Sequence, residues 1–140
     1  MKKTLYILAF TSLIINACSK NQKVVKDLEG EWNLTAETVN GVATPAAELV
    51  GTKYTFTKCK VRKEDCDGNL SVPDSTKGNL TTPFTYNIQE KGKKINIKFS
   101  LLGFITEMNG TIEEQTDTKF VYSFTSPTGG EKVTETLTKN

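Results

Sequence analysis

From residue 31 onward the chain alternates apolar and polar side chains, and a period of two marks a strand with one buried face. Trp32, Leu34 and Ala36 alternate with Asn33, Thr35 and Glu37 over residues 31–39, and Asn40-Gly41 ends the run. A second run covers 52–61, with Tyr54 and Phe56 on one face, and a short third covers 68–72. The fourth, 80–89, carries Phe84, Tyr86 and Ile88; the fifth, 94–100, carries Ile95, Ile97 and Phe99. In the next segment Asn109-Gly110 is a strong hairpin signal. Yet Phe104, Thr106, Met108, Gly110 and Ile112 keep step through it, which predicts one long strand over 104–114 with a bulge at Gly110. The seventh run, 119–126, aligns Phe120, Tyr122 and Phe124, and the eighth is 131–139. Most connections are short turns. The exceptions are 42–50, a long loop with one helical turn at 46–49, and 73–79, a polar loop. Eight strands in a row predict an all-β, antiparallel up-and-down meander. Closing it into a barrel removes its exposed edges, and a two-sheet β-sandwich is the alternative packing.

The N-terminus reads differently. Met1-Lys2-Lys3 is a positive head, followed by a largely apolar stretch over 5–17. That stretch is shorter than the roughly 20 residues a spanning helix needs, and has the form of an export signal. Ile15-Asn16-Ala17-Cys18 resembles the lipobox of bacterial lipoproteins. The resemblance implies a signal peptide over 1–17, cleavage before Cys18 and acylation of its thiol, with lipid such as palmitate holding the chain to a membrane. Residues 18–27, polar and lysine-bearing, read as a lipidated tether with one helical turn at 24–28, and 28–140 as the folded domain. Ser19 lacks the aspartate that retains many lipoproteins at the inner membrane. The expected location is therefore the cell envelope, with the outer membrane preferred over the inner.

Cleavage changes the reading of charge. Without Lys2 and Lys3 the 18 basic residues become 16, equal to the 16 acidic ones. The mature charge is near zero, with no basic stripe of the kind nucleic acid needs. Export also bears on Cys59 and Cys66, because a close pair in an oxidising compartment forms a disulfide. Two free thiols or a metal site are the alternatives, and with no histidine in the chain a metal site lacks ligands.

Leu28-Glu29-Gly30-Glu31-Trp32-Asn33-Leu34 resembles the Gly-x-Trp start of lipocalins, in which a helical turn precedes the first strand and the tryptophan plugs one end of the barrel. With the lipobox and eight strands, the chain resembles the lipocalin-like domain lipoproteins of gram-negative bacteria. The resemblance implies a basic residue packed over Trp32, for which Lys132 and Lys139 are the candidates, and cation–π contact with an indole is physically reasonable.

Catalytic chemistry finds little support. Without histidine the usual general base is missing, and so is the usual partner of a serine or cysteine nucleophile. The carboxylates Glu64, Asp65, Asp67, Glu113, Glu114, Glu131 and Glu135 fall at turns or opposite the apolar faces and read as solvated surface charge. Asp65-Cys66-Asp67-Gly68-Asn69 lacks the spacing of a calcium loop. Asp74-Ser75-Thr76 resembles a bacterial O-glycosylation acceptor. The remaining candidates are the aromatics Trp32, Tyr54, Phe56, Phe84, Tyr86, Phe99, Phe120, Tyr122 and Phe124, which are either the core of a small barrel or the lining of a ligand cavity. The chain is thus expected to be no enzyme and to need no cofactor or metal. It binds either a small hydrophobic ligand in the barrel or, with a filled core, an envelope protein partner through its loops.

Overall fold

The computed structural model describes residues 20–59 and 65–140. Helix α1 spans residues 20–28. The strands are β1 (Gly30–Val39), β2 (Val42–Ala43), β3 (Lys53–Phe56), β4 (Cys66–Asp74), β5 (Gly78–Gln89), β6 (Lys94–Leu101), β7 (Phe104–Gln115), β8 (Lys119–Thr125) and β9 (Lys132–Lys139), with a short helix α2 (Ala46–Leu49) between β2 and β3. Every strand from β3 to β9 pairs antiparallel with the next. Pairing of β1 with both β3 and β9 closes eight strands into a barrel, and β2 is a hairpin extension of β1. Closure follows from the sequence pattern: each strand has one apolar face, and a closed sheet buries all eight faces while leaving no edge unpaired. The closed meander bears out the barrel over the sandwich.

Local differences have physical causes. Gly110 does not bulge. It stays in register between Ile95 and Phe124, and a Cβ there would lie 3.1 Å from Ile95 Cγ2 and 3.2 Å from Tyr122 Cδ2. It is a close-packing glycine, and the irregularity of β7 falls between Ile112 and Glu114 instead. A second irregularity lies in β1 between Leu34 and Ala36. One extra residue reverses the alternation. Ala36 is therefore exposed, where alternation predicted it to be inward, and Glu37 pairs directly with Glu135. The second strand is shorter than predicted and the third longer, running from Cys66 to Asp74.

Residues 73–79 are no loop. Val72, Pro73 and Asp74 pair with Leu80, Asn79 and Gly78, so the segment is the end of a β4–β5 hairpin. Asp74 Oδ1 builds its turn by accepting from Thr76 N at 2.7 Å, Thr76 Oγ1 at 2.6 Å and Lys77 N at 2.9 Å. The helical turn at 46–49 forms as expected.

The stretch read as a tether holds α1, which is longer than the predicted turn and seals one end of the barrel. Val24 and Leu28 are buried in the core, and Val24 packs on the β5–β6 turn at Gly92, whose N–H donates to Asn21 Oδ1 at 2.7 Å. Gln115 Nε2 donates to Asp27 Oδ2 at 3.0 Å, which ties the same helix to the end of β7. Trp32 stands on this plug, its indole N–H donating to Leu28 O at 2.6 Å. Lys139, and not Lys132, covers it, with Nζ 5.2 Å from the ring centroid and 3.0 Å from Asp27 O. Cys59 and Cys66 form a disulfide that closes the β3–β4 connection, worth about 2–3 kcal/mol for so short a loop on the chain-entropy model.

Candidate functional site

Directly opposed residues in a sheet share a face, so the pairings identify which side chains point into the barrel. Towards the α1 end the interior is solid. Trp32, Phe56, Tyr86, Ile95, Ile97, Phe120, Tyr122 and Leu137 are almost completely buried. The rings of Phe56 and Tyr86 meet edge-on with centroids 5.0 Å apart, and Phe84 lies across Gly68, where a Cβ would come within 2.3 Å of its ring. These aromatics are packed in the buried core cluster.

The opposite end differs. Leu70, Phe99, Met108 and Phe124 continue the inward columns and pack against the core, yet each keeps partial exposure. Beyond them the inward positions Val72, Leu80 and Phe104 are exposed, Phe104 at 77 %. The interior is therefore packed below and open above, with an apolar inner wall and lip. Leu49 of α2 is buried in the same core cluster. Phe99 and Phe124 are thus wall residues, while Trp32 and Phe120 lie far below.

One inward step below Phe124 sits a polar group that the sequence pattern hid. Glu135 points inward from β9 between Val133 and Leu137 and is buried, whereas it was expected on the surface. Its Oε2 accepts hydrogen bonds from Tyr54 Oη at 2.9 Å and Tyr122 Oη at 2.5 Å. Burial raises the carboxyl's pKa, the two tyrosine hydrogen bonds oppose that rise, and the charge of Glu37 adds to it. The same burial, with the nearby carboxylate, holds both phenols far above the ordinary tyrosine value. Glu37 faces Glu135 across the β1–β9 ladder and accepts from Thr44 Oγ1 at 2.6 Å. The signal for Glu135 was present as the Val133–Glu135–Leu137 alternation. Nothing local signalled Glu37, because only the bulge turns it inward.

Among the described residues no group of three or more cysteine, aspartate or glutamate side chains is arranged to hold a metal ion. No described helix is long and apolar enough to cross a membrane. Cys18 and the 1–17 segment lie outside the described residues, as does Glu64.

The profile of the lipocalin-like domain family matches residues 28–122. Among solved structures, a lipocalin-like protein from Bacteroides uniformis is 16% identical, with a TM-score of 0.55 over 81% of this chain and 99% of its own. A redesigned β-barrel bound to DFHBI, mFAP1, is 18% identical, with a TM-score of 0.54 over 83% of this chain and 98% of its own. Another redesigned β-barrel reaches a TM-score of 0.58 at 17% identity over 84% of this chain and 95% of its own. None of the curated proteins matches the chain in sequence.

Proposed function

The chain belongs to the lipocalin-like domain family, and on that premise we propose that it is a membrane-anchored binder of a small hydrophobic ligand held in the open half of its barrel. The observation that carries this reading is the partial exposure of four inward-facing side chains, Leu70, Phe99, Met108 and Phe124, above a fully packed floor. Apolar side chains that face a barrel interior and still meet solvent mark a space that a ligand can desolvate, at about 25 cal/mol per Å² of apolar surface covered. A barrel of similar fold, mFAP1, is solved with DFHBI bound. The function is holding, not turnover: the buried inward carboxyl of Glu135 is held by two tyrosines and faces a second glutamate, with no histidine in the chain to pair with them.

The anchor is part of the proposal. Ile15-Asn16-Ala17-Cys18 directs lipid to a cysteine two residues before α1, in the cell envelope and by preference at the outer membrane. Because α1 seals the lower end, an anchor there leaves the apolar mouth facing away from the membrane that holds it.

Native mass spectrometry after incubation with a bacterial lipid extract tests the ligand. A retained small molecule supports the reading, and an empty barrel across extracts and synthetic apolar probes overturns it. Incorporation of labelled palmitate tests the anchor, with the label expected to vanish in Cys18→Ser.

A further inference from the structure

We propose that the barrel selects an apolar ligand ending in a cationic, hydrogen-bond-donating group, a primary amine, which is seated on Glu135 at the floor of the open half. This rests on the reading that the barrel holds an apolar ligand, and it names the end of that ligand.

Three observations converge. The first is the half-used carboxyl. Both hydrogen bonds to Glu135 fall on Oε2, so Oε1 takes part in neither. A buried carboxyl with one oxygen held by two phenols is oriented, and its other oxygen is an acceptor for a donor arriving from the mouth. The second is the sign of the interior. Glu37 opposes Glu135 on the inward face, while among the described strand residues the inward face carries one lysine, Lys139. That lysine is engaged at the sealed end with Trp32 and Asp27 O. A carboxylate or phosphate head entering the barrel would meet two acids and no available cation. An ammonium would meet one acid held by tyrosines and a second across the ladder. The third is position. Glu135 pairs with Tyr122, so its carboxyl lies one inward step below the partly exposed Phe124. A ligand lying against that apolar wall brings its end group to the floor.

Burying a charge is costly unless it is paired. The proposed ligand relieves that cost for both partners at once, while an anionic ligand raises it. Selectivity therefore comes as much from rejecting anions as from attracting the amine.

Three ligands with one tail and different heads make the test: octylamine, 1-octanol and octanoate, titrated calorimetrically into the purified chain at neutral pH. Octylamine is expected to bind about tenfold tighter than octanoate, the scale of one charge-assisted hydrogen bond, with 1-octanol between them. Glu135→Gln keeps the shape and should bring the three affinities together, while 1-octanol binds as before. Octanoate binding as tightly as octylamine overturns the proposal, as does an amine preference that survives Glu135→Gln. Should that variant not fold, Glu37→Gln takes its place, and an undiminished preference there has the same force. Failure of the underlying reading looks different: none of the three ligands would bind, 1-octanol included.

Discussion

Lys139 Nζ lies 5.2 Å from the centroid of the Trp32 indole and donates to Asp27 O at 3.0 Å, so the last strand, the first strand and the plug helix meet in one side chain. Cation–π contact in a partly desolvated site contributes about 1 kcal/mol, and the hydrogen bond adds a similar amount. Lys139→Ala should lower unfolding free energy by about 1–2 kcal/mol, read from urea titration. Lys132→Ala, whose side chain is exposed, should change it by less than about 0.5 kcal/mol. Equal effects from the two would contradict this arrangement.

Gly68 is fixed by space and not by backbone angle. A Cβ there would fall 2.3 Å from Phe84 Cζ and 2.8 Å from Thr55 O. Gly68→Ala is therefore expected to destabilise by about 1–3 kcal/mol through overpacking. The ring is half of the clash, so Gly68→Ala with Phe84→Leu should recover part of the loss. A strictly additive double variant would show that the two positions are not coupled.

Glu135 makes stability depend on pH with a definite sign. Burial raises its carboxyl, so the folded state holds the proton more tightly than the unfolded chain does. Its contribution is then complete below the ordinary glutamate value and is lost as pH rises through the raised folded value. Urea midpoints measured from acid to neutral pH should fall on the way up for the native chain, and less steeply for Glu135→Gln. Parallel pH curves for the two proteins would be inconsistent with a buried, proton-binding Glu135.

Tyr86 is buried in the aromatic core, and its hydroxyl has no hydrogen-bond partner among the described residues. An unsatisfied buried hydroxyl costs more than it returns. Tyr86→Phe should accordingly leave stability unchanged or raise it by up to about 1 kcal/mol, measured as a shift in Tm. A loss of more than about 1 kcal/mol would mean that the hydroxyl is engaged in solution.

The Cys59–Cys66 disulfide bounds a short loop. Cys59→Ser with Cys66→Ser is expected to cost about 2–3 kcal/mol. Ligand affinity should hold, because Cys66 is buried beside the packed floor and not at the mouth. A large change in affinity would place the bridge's influence higher in the barrel.

Much of this architecture was legible because the relevant signals are local. Strand alternation, the Asn40-Gly41 turn, the helical turn at 46–49 and Gly30-x-Trp32 each depend on a few neighbouring residues. The site was less legible. Of the nine aromatics singled out, Phe99 and Phe124 belong to the open wall, while Leu70 and Met108, which complete that wall, carried no distinguishing feature.

Periodicity and proximity along the chain were enough to specify the eight apolar faces, their order, the closed meander they favour and the cysteine pair. Where the packing gives way to partly exposed inward side chains, which lysine covers Trp32, and the shared inward face of Glu37 and Glu135 emerge only once the strands are paired. Those outcomes depend on strand register, and a single extra residue in β1 is enough to exchange the inside and outside of everything after it.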